Sequence, residues 1–69
     1  MSTLQITLAA ARVNAGMTQS DVAQKLHISK TTVVNWEKGK VSPSFADIQA
    51  ISALYNIPMD NIFLPIQST

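Results

Sequence analysis

The chain has no cysteine and a single histidine, His27. A disulfide framework and a zinc site are thereby excluded, no metal or cofactor is expected, and the chain suits a reducing cytoplasm. Charge is also scarce: 13% of residues are charged against 46% apolar, which excludes a disordered tail and fits a compact fold. No apolar run approaches the roughly 20 residues needed to cross a bilayer, and no signal-peptide pattern opens the sequence. Catalysis is poorly served, because there is no thiol, no histidine pair, no close pair of carboxylates and little volume for a substrate pocket, so the chain is not read as an enzyme.

With 69 residues, positions 1–69 are read as one domain with an economical core. The net charge of +1 says little, but its distribution is uneven. Lys25, Lys30, Lys38 and Lys40 stand against Glu37 within residues 25–40, a local net of +3, whereas residues 41–69 carry only Asp47 and Asp60. One face should attract phosphates and the opposite pole should not.

Punctuation at Gly16, at 27–29, at 39–43 and at 56–58 divides the chain into five short helices. The fold class expected is all-α. The first helix is predicted from about Leu4 to Asn14, with Leu4, Leu8, Ala11 and Ala15 at helical spacing and Gly16 ending it. Thr18 caps a second over 19–26, whose inward residues are Val22, Ala23 and Leu26, and Ser29 caps a third over 30–38. Only His27 and Ile28 separate the second helix from that cap, so the two must cross steeply. Ser44 with Asp47 reads as a capping-box variant opening a fourth helix to Tyr55, with Ile48, Ile51 and Leu54 inward. Asn56 ends it, and 58–63 is predicted to form a last short turn of helix.

The stretch SKTTVVNWEKGK, Ser29 to Lys40, is the most informative. At about 100° per residue, Val33 and Trp36 define an inward direction, and Thr31, Val34, Asn35 and Lys38 point away from it. That outward face is short, mostly polar, basic at its end and free of carboxylates. Asparagine pairs bidentately with adenine, threonine and valine methyls meet the thymine methyl, and lysine donates to guanine, so the face suits the floor of a DNA major groove. Lys30, at the helix start, reaches either a base edge or a phosphate. Glu37 falls on the inward side, where a carboxylate requires a cation. Arg12, the chain's one arginine, is the expected partner in a bidentate, partly buried pair tying the first helix to the third.

Together, an arginine four residues before a glycine, Thr18-Gln19 opening the second helix, Ala23 within it, Trp36-Glu37-x-Gly39 closing the third and Pro43-Ser44 starting the fourth resemble the phage Cro and CI repressor family and its bacterial relatives, the XRE type. The likeness covers about Leu4 to Phe63. It implies a compact five-helix, lambda-repressor-like DNA-binding domain, with the helix-turn-helix at about 18–38, acting as a small prokaryotic or phage regulator in the host cytoplasm. It further implies base contacts from Lys30, Thr31, Val34 and Asn35, and phosphate contacts from Gln19, Thr32, Lys38, Lys40 and Ser42. Many members bind as symmetric dimers. His27 departs from the glycine common at its turn position, although histidine tolerates the left-handed conformation, and the groove face carries no arginine.

The segment 62–69 opens with an apolar run, Ile62 to Ile66, with only Gln67, Ser68 and Thr69 beyond it. Ile62 and Phe63 are expected to pack inward, or, with Leu64 and Ile66, to contribute to an exposed patch that recruits a second copy or another regulator. A second function of a different class therefore stands beside DNA binding: a protein-binding modulator of antirepressor or antitoxin type that docks on a repressor and alters its DNA occupancy.

Overall fold

In a computed structural model of the chain, residues 5–64 are described, and Leu4 and Ile66 lie outside them. Element order is β1 (Ile6–Thr7), α1 (Leu8–Asn14), α2 (Gln19–Leu26), α3 (Lys30–Lys38), α4 (Phe45–Tyr55), a 3-10 turn over Met59–Asn61, and β2 (Ile62–Phe63). The first helix thus starts later than its apolar spacing predicts. Thr7 is extended and its hydroxyl accepts from Ala10 N, which makes it the N-cap. The β-branched pair Ile6-Thr7 is drawn into a strand instead.

The expected fifth helix is also corrected. Only Met59–Asn61 turn, as a 3-10 helix, and Ile62–Phe63 run extended and pair in parallel with β1, Ile6 opposite Ile62 and Thr7 opposite Phe63. Four α-helices and a two-stranded pair therefore make up the described residues. Strand alternation splits the tail. Ile62 enters the core, Leu64 packs against it, and Phe63 is 44% exposed. Ile62 is thus no part of an exposed patch, and Phe63 does not pack inward.

Capping fixes the helices that matter for the site. Thr18 and Asp21 form a reciprocal capping box at α2, and Ser44 and Asp47 form another at α4. Ser29 caps α3 by accepting from Thr32 N. His27 and Asn56 end α2 and α4 in the left-handed conformation, at φ 58° and 56°. Gly39 does the same for α3 at φ 78°, a conformation glycine adopts without steric cost.

The core is built by Leu8 and Ala11 of α1, Val22 and Ala23 of α2, Val33 and Trp36 of α3, Ile48, Ile51 and Tyr55 of α4, and Ile62. Leu26, Leu54 and Ala15 are half-buried against it. Val22 and Val33 are fully enclosed, and the small Ala23 lets α2 and α3 approach closely. Trp36 locks the second turn of α3 into the interior, so that the orientation of its outer face is set by packing.

Candidate nucleic-acid interface

On α3, Val33 and Trp36 are buried while Lys30, Thr31 and Lys38 are exposed. Val34 and Asn35 are half-buried, on the flanks between these directions. No carboxylate is exposed on α3, because Glu37 turns inward with its side chain 8% exposed. Lys40 and Ser42 are exposed just beyond the helix. The backbone there is ordered by donation from Gly39 N to Trp36 O and from Lys40 N to Asn35 O.

Thr32 is half-buried, and its hydroxyl lies 2.9 Å from Ser29 Oγ, where either oxygen can be the donor.

Arg12 and Glu37 meet as the sequence pattern requires. Arg12 Nε donates to Glu37 Oε2 at 2.7 Å and Nη2 to Oε1 at 3.3 Å. The remaining arm, Nη1, donates to the Met17 carbonyl at 3.0 Å, fixing the turn that leads into α2. The hydrogen bond to Glu37 raises the Arg12 pKa against the opposing effect of burial, so the guanidinium stays charged.

Gln19 brings a contact that sequence reasoning missed. Its Nε2 donates to Glu37 Oε1 at 2.9 Å. One amide proton is therefore committed to the interior, and a carboxamide carries a second. No local pattern announces this bond, since the two residues meet only when α2 and α3 cross.

Around the start of α2 lies a shallow depression of about 280 Å³ lined by Arg12, Met17, Thr18, Gln19, Ser20 and Lys30. It joins the N-terminal end of α2, where unpaired backbone N–H groups favour anions, to the first lysine of α3. Thr18 was read from the sequence only as a helix cap, and Ser20 and Met17 were not singled out, although the position of Ser20 at a helix start was a usable signal. Asp21 lies in the first turn of α2. The Thr18 backbone N–H, and then its hydroxyl, hold the Asp21 carboxyl below the usual carboxylate range.

Among the described residues, no group of three or more histidines, cysteines or acids is placed to hold a metal, and no helix is long and apolar enough to cross a membrane.

Residues 8–62 match the model of a helix-turn-helix family. Over 53 residues the chain is 34% identical to an uncharacterised HTH-type transcriptional regulator of Archaeoglobus fulgidus, an alignment covering 77% of this chain and 76% of that protein. A second uncharacterised HTH-type transcriptional regulator, from Methanocaldococcus jannaschii, is 35% identical over 48 residues, covering 70% and 73%. The HTH-type transcriptional activator BcrR of Enterococcus faecalis is 29% identical over 51 residues, which is 74% of this chain and 25% of BcrR. The chain thus spans about a quarter of the length of BcrR and about three quarters of the archaeal relatives. No solved structure matches with comparable significance.

Proposed function

Because the chain belongs to the XRE-type helix-turn-helix family, we propose that it is a transcription regulator that binds double-stranded DNA sequence-specifically, with α3 in the major groove. The observation that carries this reading is the division of α3. Val33 and Trp36 anchor it in the core, and Lys30, Thr31, Val34 and Asn35 leave an outer face without a carboxylate. Thr32, Lys38, Lys40, Ser42 and the second amide proton of Gln19 grip the backbone on either side. The mode of action is that of a small Cro- or CI-type repressor, a symmetric dimer on paired half-sites whose occupancy blocks a promoter.

The alternative, docking on another regulator through the apolar tail, draws less support. Ile62 is in the core and Leu64 packs on it, which leaves Phe63 as the exposed residue of that segment within the described chain.

The test is selection of binding sites from random duplex DNA at moderate salt, followed by sequencing. A palindromic motif is the expected result, and its half-site spacing gives the dimer geometry. If folded protein enriches no motif, the DNA-reading proposal fails and partner docking takes its place.

A further inference from the structure

One carboxylate on α3 serves two other elements at once. Glu37 Oε2 and Oε1 accept from the Arg12 fork, and Oε1 also accepts from Gln19 Nε2. Glu37 is nearly enclosed, so it makes no plausible DNA contact of its own. Gln19 is different. It is the first residue of α2 and lines the depression that Lys30 of α3 also lines.

A carboxamide is nearly symmetric in shape but opposite in chemistry at its two ends, and which end faces a neighbour is decided by hydrogen bonding. An ionised carboxylate is acceptor-only, so Glu37 requires the NH₂ end of Gln19. That requirement sets the flip of the side chain. The carbonyl end, which would repel a phosphate, is not free to exchange places with the donor.

We propose that Glu37 is a positioning residue for DNA-backbone recognition: by holding one Gln19 amide proton, it fixes the carboxamide so that the second proton is presented to a phosphate in the depression at the start of α2. Arg12 acts through the same carboxylate, holding it in place from α1. The inference rests on the DNA-binding reading above and deepens it, because it assigns a function to a residue that contacts no ligand.

The test begins with binding of wild-type protein to its selected site across a salt series. A measurable salt-dependent affinity establishes the DNA-binding reading, independently of Glu37. Gln19→Ala keeps the Arg12–Glu37 pair, and it is expected to weaken binding about tenfold with the salt slope unchanged, since a neutral amide releases no counterion. Glu37→Gln, compared at equal folded fraction, should do the same, and the double variant should lose no more than either single one. A purely structural Glu37 would change the folded fraction and leave the affinity of the folded protein alone. Wild-type affinity in folded Glu37→Gln, or additive losses, would overturn the proposal.

Should Glu37→Gln fail to fold, the side-chain amide resonances of the wild-type protein decide. One Gln19 amide proton should be protected from exchange in free protein, unlike those of the exposed Gln24 and Gln49, and DNA should then shift the other. Unprotected Gln19 protons, or a response to DNA confined to the protected one, would equally overturn it.

Discussion

Arg12 Nε lies 2.7 Å from Glu37 Oε2 across 25 residues of sequence, joining α1 to the last turn of α3. With Glu37 only 8% exposed, removing the cation leaves a nearly enclosed carboxylate whose remaining partner is the neutral Gln19 amide. Arg12→Ala is expected to cost about 3 kcal/mol, the lower end for breaking a buried pair, because Arg12 keeps some solvent contact. For a domain of this size that corresponds to a fall in Tm of roughly 12 °C or more, read by circular dichroism. An unchanged melting curve would remove the pair from the fold's essential contacts.

Thr31→Ala and Asn35→Ala should leave the helical spectrum and the melting temperature nearly intact while each reduces discrimination between the selected site and a mismatched one by about 1–3 kcal/mol. Lys40→Ala should act differently, weakening all sequences alike and flattening the salt slope by about one. Competition binding separates the two patterns. If Asn35→Ala lost affinity uniformly, its assignment to a base edge would be wrong.

His27 sits at φ 58°, where a β-branched side chain is strained. His27→Val is therefore expected to destabilise by about 1–2 kcal/mol in urea unfolding, and Asn in its place to be tolerated. Equal stability of the valine variant would mean that the turn relaxes out of the left-handed region.

Tyr55, the chain's one tyrosine, has its phenol pushed up to about 12, first by burial, then by the negative charge of Glu37, with Arg12 opposing. The native state thus favours the neutral phenol. Its contribution to stability is fully present below the unfolded value near 10 and is lost as pH rises from there through about 12. Absorbance at the tyrosinate band should titrate late in native protein and about two units earlier in denaturant. Coincident titrations would contradict the burial argument.

Local chemistry was legible in the sequence, and long-range pairing was not. Thr18, Ser29, Ser44, His27 and Asn56 mark helix ends because capping depends on residues within one turn, and each lies at the boundary its type predicts. The Thr18–Asp21 box follows the same pattern as Ser44–Asp47 and was open to the same reading. Helical spacing separated Val33 and Trp36 from the outer face of α3. By contrast, β1 and β2 are two residues each, too short for alternation to show against the helical background. The Gln19–Glu37 bond depends on how α2 and α3 cross, and Phe45, 70% exposed at the first position of α4, has no sequence feature that distinguishes it from a core aromatic.

The pairing of Ile6 with Ile62 encloses nearly all of the described chain in one loop. Closing it carries the largest entropic cost of any contact in the fold, whereas the α2–α3 unit is assembled from neighbours in sequence. The clasp is therefore expected to be last to fasten during folding and first to open, so that the molecule comes apart from its ends while the DNA-reading half persists. Native-state hydrogen exchange should find the amides of β1 and β2 opening well before those of Val33 and Trp36, and equal protection would instead make the fold a single cooperative unit.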